Sequence, residues 1–358
     1  MHIMDIKFII DWQLSQADNQ KIDPQLFSLL EAIQQLGSLK KATEKIHVSY
    51  RFSWGLLTKW NEYLGQPLVI LERGRGATLS PLGEKLLNAN VQLNARFSPE
   101  LDNFASQFSH EFEALLDKDK TPSLKIFASH GLAIATLRDL IHQQLEFKLD
   151  LHFHGSLESL RALNNGECDI AGFHIPVGKL SKSLAPHYLK LLNGKKHQLI
   201  YIVKRNQGLI VQQGNPKNIH SINSLTNDNI EFINRQTDSG TRLLFDQLLH
   251  ANNINSNGIN GYQNEEFTHM AVAAMIASGA ADVGFGIASM ADKFKLDFIP
   301  VVWEHYCLAI PLHLVHDERT RLITSLLHND AFKYSLAQFS GYDTLRAGET
   351  VTFKEIFG

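Results

Sequence analysis

From Leu124 onward, short apolar runs alternate with stretches of helical periodicity, and this alternation constrains the fold more than any other feature. Residues 124–128, 149–153 and 170–173 read as strands; residues 133–146 and 157–164 read as helices. Parallel strands need a crossover, and the crossover helix covers a face of the sheet. The class that follows is α/β with a mainly parallel sheet. In such sheets ligands sit beyond the carboxyl ends of strands, where helices begin. Three turns of this kind carry hydroxyls: Ser129-His130-Gly131, His154-Gly155-Ser156 and the run Thr237-Asp238-Ser239-Gly240-Thr241.

The third turn lies in residues 233–242, I-N-R-Q-T-D-S-G-T-R, between a short apolar strand and a helix with Leu243, Leu244, Leu248 and Leu249 on one face. The first N–H groups of that helix have no partner within it, and its dipole presents positive charge there. Thr237, Ser239 and Thr241 add neutral donors, and Gly240 admits a close approach. The same pattern also fits an ordinary cap by Asp238 or Ser239. Three such turns favour a shared ligand over capping alone. The candidate ligand-binding residues are Ser129, His130, Ser156, His174, Arg235, Thr237, Asp238, Ser239, Gly240, Thr241, Tyr262 and Glu265. Tyr262 and Arg242 can wall the cleft, or Arg242 can simply pair with a carboxylate. His130, His174 and His269 fall at the rim, as hydrogen-bonded structural residues or as ligand contacts; no metal site or catalytic residue is assigned.

The first third of the chain has a different rhythm. Residues 7–12 read as a short edge strand. Asp23-Pro24 opens a helix carrying Leu26, Leu29, Leu30, Ile33 and Leu36. Gly37-Ser38 ends it and starts a short helix with Leu39, Ala42 and Ile46. Ser49 caps a third helix running to about Leu64, with Trp54, Leu57 and Trp60 on its buried face. Two short β runs then flank a basic, glycine-containing tip, residues 72–77. Helix, short helix, turn, helix and hairpin is the layout of a winged helix-turn-helix DNA reader. Between Ser38 and Gly76 the net charge is +4, in a chain whose total is −3. A basic patch of this kind is the footprint of DNA binding. The candidate DNA contacts are Lys40, Ser49, Tyr50, Arg51, Ser53, Lys59, Arg73 and Arg75. Residues 81–118 read as helical, with one stripe of Leu82, Leu86, Ala89 and Leu93 and another of Leu101, Phe104, Phe108, Phe112 and Leu115, broken near Ser98-Pro99. They supply a homodimer seam or pack on their own chain. Thr121-Pro122 reads as a linker.

Two resemblances rest on these residues. Gly37-Ser38-Leu39-Lys40-Lys41-Ala42, Ser49-Tyr50-Arg51-Phe52-Ser53-Trp54, Leu64-Gly65-Gln66-Pro67-Leu68-Val69 and Arg73-Gly74-Arg75-Gly76-Ala77-Thr78-Leu79-Ser80-Pro81 resemble the winged helix of ModE-type regulators, and more loosely that of LysR-type regulators. His154-Gly155-Ser156-Leu157-Glu158, Asn165-Gly166-Glu167-Cys168-Asp169-Ile170-Ala171-Gly172-Phe173-His174, residues 234–242 and Ala281-Asp282-Val283-Gly284-Phe285-Gly286 resemble the type II periplasmic-binding-protein-like domain fused to regulators and to molybdenum-cofactor synthesis enzymes. Asp238 stands where that family often has Gly. The resemblances imply an α/β chain in three parts: a winged helix-turn-helix over 1–81, a linker or dimerisation helix over 82–120, and a two-lobed binding-protein-like domain over 121–358. They imply a ligand-responsive transcription regulator, not an enzyme. Its partners would be double-stranded DNA, a second copy or higher homo-oligomer, and a small effector such as molybdate or tungstate, with no cofactor besides. The alternative is a cytoplasmic binding or storage protein, or an enzyme acting on molybdenum-cofactor-related metabolites.

Composition sets outer bounds. An apolar fraction of 44% with 20% charged residues is that of a globular protein, and the overall charge argues against a chain that coats nucleic acid or membrane. Cys168 and Cys307 are too few for a disulfide framework and fit no zinc spacing. No signal-peptide pattern or bilayer-length apolar run is read, so the expected location is cytoplasmic, without membrane partners.

Overall fold

The computed structural model describes residues 6–15, 19–72, 76–115, 123–144, 148–237 and 239–358. The chain divides into two compact units, Ile9–Ala95 and Arg96–Gly358, the latter joined by the chain's first residues.

In the smaller unit, β1 (Gln13–Leu14) pairs antiparallel with β2 (Gln20–Lys21). Helices α1 (Pro24–Leu36), α2 (Leu39–Lys45) and α3 (Tyr50–Leu64) follow, then the hairpin of β3 (Val69–Glu72) and β4 (Gly76–Leu79). The boundaries have local causes. Asp23, Ser38 and Ser49 each accept a hydrogen bond from a first-turn N–H, satisfying a group the helix itself leaves unpaired. Gly37 ends α1 at φ 64°, where a side chain would be strained, and its N–H returns to the Ile33 carbonyl. Leu26, Leu29, Leu30, Ile33 and Trp60 are fully buried in one core with Leu68 and Leu79. The strand expected over residues 7–12 does not form, because pairing begins only at Gln13 and its partner β2 is two residues long. Trp12 instead donates its indole N–H to Asn90 at 3.0 Å.

Helix α4 (Pro81–Leu115) is continuous through Pro99, so the break expected at Ser98-Pro99 is absent. An interior proline costs about 3 kcal/mol, and the following turns are held from outside the helix. Asn103 takes both backbone groups of Phe153, donating to its carbonyl at 3.0 Å and accepting from its N–H at 2.6 Å. Ser106 donates to Asp150 at 2.6 Å. Phe8 packs on Phe104 and Phe108, with ring centroids 5.3 and 6.2 Å away.

The larger unit continues with β5 (Ser123–Ala128), α5 (Leu132–Gln144), β6 (Lys148–Phe153), α6 (Ser156–Asn165), β7 (Ile170–Pro176), α7 (Lys179–Leu189) and β8 (His197–Val211). Then come β9 (Phe232–Arg235), α8 (Gly240–Ala251), β10 (Glu265–Glu266), α9 (His269–Ala277), β11 (Val283–Ile287), α10 (Ala288–Lys293) and β12 (Asp297–Pro311). The chain ends with α11 (Glu318–His328), α12 (Asp330–Ala337), β13 (Tyr342–Asp343), β14 (Thr350–Val351) and α13 (Phe353–Phe357). The expected linker at Thr121-Pro122 lies outside the described residues.

One mixed ten-stranded sheet carries the unit, in the order β10-β9-β11-β8-β12-β7-β5-β6, with β13 and β14 pairing on β8. This corrects the expectation of a mainly parallel sheet. Pairing is parallel at each end, among β9, β10 and β11 and among β5, β6 and β7. Between them the two 15-residue strands β8 and β12 run antiparallel and join both ends. Helices α6, α7 and α8 cover one shared core. On the remaining surfaces α5, α11 and α12 pack at one end, and α9 and α10 at the other. Each parallel set aims its carboxyl ends, and the helix starts that follow them, toward the centre of the unit.

Candidate ligand-binding site

Two helix starts meet. Ser156, the first residue of α6, and Gly240, the first of α8, come from opposite ends of the sheet. A Cβ on Gly240 would sit 3.1 Å from the Ser156 Oγ, so glycine permits this approach. Ser156 is fully buried, and its Oγ accepts the backbone N–H of His174 at 3.1 Å. Beside Gly240, Thr241 Oγ1 lies 3.4 Å from the Gln207 amide nitrogen and 3.3 Å from His269 Nε2, on the first residue of α9. Gln207 donates, so the Thr241 hydroxyl is free to donate to Nε2. The proton of a neutral His269 ring is then on Nδ1. That Nδ1 is buried with no partner among the described residues, as are His174 Nε2 and Gln207 Oε1.

Positive charge surrounds these atoms. Arg205 is 3% exposed and paired with Glu304, itself 1% exposed. Gly131, just before α5, stands against it: a Cβ there would lie 3.5 Å from Arg205 Nη1. Arg235, at the end of β9, donates to the Gln236 side chain at 3.1 Å and the Phe267 carbonyl at 2.9 Å. Among the described residues it has no carboxylate partner. Burial, and then repulsion from Arg205, push its pKa down to about 9, which still leaves it charged at neutral pH. Burial first, and then the arginines, hold three histidines neutral. His130 falls to about 4, and His174 and His269 lie well below the usual imidazole range. His174 stacks on Tyr306 with ring centroids 3.7 Å apart, and His130 meets the Phe153 ring edge-on at 4.8 Å. Two arginines with one buried carboxylate, and unpaired ring nitrogens near two helix starts, are chemically suited to an anion.

The other candidates fall into place around this cluster. Ser239 is the α8 cap: it accepts from Arg242 N–H and donates to the Gln236 carbonyl. Thr237 donates to Glu265 at 2.8 Å, and Glu265 accepts from Arg242 at 2.8 Å. Arg242 also reaches Asp246 at 3.1 Å and lies 4.2 Å over the Tyr262 ring, whose hydroxyl donates to Asp246 at 2.6 Å. Thr237, Tyr262 and Glu265 therefore belong to a closed network around Arg242. Ser129 is half-buried, and its carbonyl accepts from Tyr306 at 3.3 Å. Asp238 lies outside the described residues. Sequence reasoning missed Arg205, Gln207, Glu304 and Tyr306, which sit inside long strands with no turn signal nearby.

In the smaller unit, Lys40, Ser49, Tyr50, Arg51 and Lys59 are exposed. Ser49 caps α3, accepting from Phe52 N–H at 3.1 Å. Two assignments reverse. Ser53, expected outward, is 0% exposed, and Trp54, expected in the core, is 49% exposed. Leu56, Leu57 and Trp60 share the buried side with Ser53, and the helical period then turns Trp54 away. Arg73 and Arg75 lie outside the described residues.

In the larger unit two sets of parallel strands face each other across long antiparallel strands, with the polar cluster where their helix starts meet. Residues 137–328, more than half of the chain, match the PBP superfamily domain, and the chain belongs to that family. Among relatives, it is 33% identical to the uncharacterized protein YvgK of Bacillus subtilis over 56% of this chain and 64% of that protein, so it spans less than two thirds of that relative's length. It is 26% identical to the transcriptional regulator ModE of Haemophilus influenzae, over 59% of this chain and 81% of ModE. It is 33% identical to the molybdenum-pterin-binding protein MopB of Rhodobacter capsulatus, over 22% of this chain and 30% of MopB. A solved cysteine-to-serine mutant of OxyR from Corynebacterium glutamicum, bound to H2O2, overlays with a TM-score of 0.44 at 12% identity, covering 89% of this chain and 95% of that one. No helix among the described residues is long and apolar enough to cross a membrane.

Proposed function

We propose that this chain is a ligand-responsive, DNA-binding transcription regulator working in the cytoplasm as a homodimer. The observation that carries the effector site is the meeting of Ser156 with Gly240 beside Arg205 and Arg235. Neutral donors, helix starts and a surplus of positive charge favour an oxyanion. Molybdate or tungstate is the effector of choice, because ModE and MopB are among the relatives. On this reading residues 1–81 form a winged helix-turn-helix, 82–120 link and dimerise, and 121–358 sense. The linker has the anchors that transmission needs. Asn103 grips β6 at one end of the sheet, and Arg96 lies 3.9 Å from Glu266 on β10 at the other. An effector that favours one spacing of the two ends would then shift α4, and with it operator affinity.

Binding without chemistry fits the remaining polar groups. Ser106, Asp150 and His152 are the residue types of a hydrolase triad. Here the hydroxyl and the imidazole both contact the same carboxylate oxygen, at 2.6 and 2.9 Å, so the imidazole is not placed as the hydroxyl's base. A second ligand class draws support from Gln207 Oε1, a buried acceptor without a donor. A metabolite carrying both a hydroxyl and an anionic group would satisfy it.

Calorimetry with molybdate, tungstate and sulfate, beside gel shifts on the chain's own upstream DNA, tests the proposal. Arg235→Ala should weaken the tightest anion about thirtyfold or more and abolish its effect on the gel shift. Millimolar binding of all three anions by the unaltered chain would discard the oxyanion assignment.

A further inference from the structure

The outward side of α3 carries two features that nothing among the described residues accounts for. The first is an exposed aromatic pair. Tyr50 and Trp54 are 52% and 49% exposed, and their rings stack at 6.5 Å with 17° between planes. Stacked on each other, they form one apolar plate left open to water. The second is Gly55. Glycine inside a helix is unfavourable relative to alanine. A close neighbour in the fold would explain it, yet apart from its chain neighbours and the backbone of its own helix no described atom lies within 4 Å of where its Cβ would be. The contrast with Gly240 is direct, since there the chain itself fills the space.

Both features lie on one face. At about 3.6 residues per turn, Ser53, Leu56, Leu57 and Trp60 share the buried side. Arg51, Gly55 and Thr58 run down the opposite side, with Tyr50 and Trp54 along one margin and Lys59 along the other. On α2 and α3 the exposed charges are Lys40, Lys41, Lys45, Arg51 and Lys59 against Glu44 and Glu62, so positive charge predominates, and Glu62 falls toward the last turn of the outward side. A bare stretch of helix backbone, an apolar plate and a basic surround match the major groove of duplex DNA. There the apolar mark is the 5-methyl group of thymine, and phosphates flank it.

We infer that Tyr50 and Trp54 read thymine through its methyl group, and that Gly55 lets the α3 backbone close on the DNA. This rests on the DNA-binding reading above and adds what is read. The charges hold any duplex, and the aromatic plate selects thymine.

The test uses the full chain and duplexes it enriches from a random pool. Trp54→Ala and Gly55→Ala should each weaken binding to the enriched duplex about tenfold or more, with affinity for unselected duplex unchanged. Gly55→Ala should leave the thermal midpoint equal or higher, because alanine favours the helix, so misfolding cannot mimic the result. Replacing single thymines by deoxyuridine should cost about fourfold at one position or more. If Arg51→Ala weakens binding while both variants and every deoxyuridine duplex behave as the originals, the chain binds DNA but this inference fails. If the unaltered chain binds no duplex even at low salt, the DNA-binding reading fails and takes the inference with it. If Trp54→Ala lowers the mass in light scattering and leaves DNA affinity intact, the face is a self-association surface, which also overturns it.

Discussion

The two clusters that share the entrance of α8 are built from similar residue types and differ in whether their polar atoms are partnered. Around Arg242 the side chains partner one another: Thr237 with Glu265, Tyr262 with Asp246, the guanidinium with both carboxylates. Around Thr241, His174 Nε2, His269 Nδ1 and Gln207 Oε1 are buried without partners among the described residues, and Arg235 has no described carboxylate. A buried polar atom left unmade costs about 1–3 kcal/mol. A closed network contributes to stability, whereas an open one stores a demand that a guest can meet. One stretch of ten residues contributes to both, so the sequence pattern at this turn does not itself mark which residues join the open cluster.

Glu304→Gln should give the largest effect. It leaves Arg205 charged, buried and beside Arg235, and breaking such a pair costs about 3–5 kcal/mol. Sulfate or molybdate should then raise the melting temperature more than in the unaltered chain, because the anion takes over the lost carboxylate's role. A fall in chemical-denaturation stability near zero would show the inner cluster to be wet. Next comes Arg242→Ala, which should cost about 2 kcal/mol of stability, less than a fully buried pair because Asp246 is partly exposed. Anion affinity by calorimetry should stay within about twofold; a large loss would erase the distinction between the clusters.

Gly240→Ala sharpens the comparison from the other side. Its methyl would meet Ser156 at 3.1 Å and push the helix starts apart, at about 1 kcal/mol in stability. Calorimetry should show weaker anion binding, whereas the Arg242 network should keep the α8 entrance ordered in hydrogen exchange. The last test is of pH dependence. His130 titrates near 6.5 when unfolded and about 4 when folded, so the unfolded chain binds the extra proton in that window. Stability should therefore fall as pH drops from about 6.5 to about 4. A bound anion favours the protonated ring, so thermal midpoints with sulfate should fall less over the same range. Parallel curves with and without sulfate would place the anion away from His130.

Much of the local structure was legible. Asp23, Ser38 and Ser49 cap helices as their sequence positions indicate, because a cap is a contact over two or three residues. The run from β5 to β7 follows the apolar periodicity. The candidate site was legible only in part. Ser156, Gly240 and Thr241 were proposed from strand-to-helix turns and His174 from the cleft rim, and the structure brings them together. Thr237, drawn from the same signal, and Tyr262 and Glu265, expected along the cleft, pack around Arg242 instead. Arg205 and Glu304 left no trace, since each sits mid-strand and their pairing spans 99 residues. Trp54 was misplaced because an apolar residue on an amphipathic helix normally faces the core.

By itself, the sequence determined where elements start and stop and which stretches alternate strand with helix. It also determined that hydroxyls and glycine gather at three helix entrances. Those are short-range matters of backbone hydrogen bonding and side-chain periodicity. Only the tertiary structure decided that β8 and β12 run antiparallel through one sheet, that Ser156 comes to face Gly240, and that Arg205 is paired while Arg235 is left charged. The reason is that pairing, burial and repulsion depend on which distant residues become neighbours, and no local pattern encodes that.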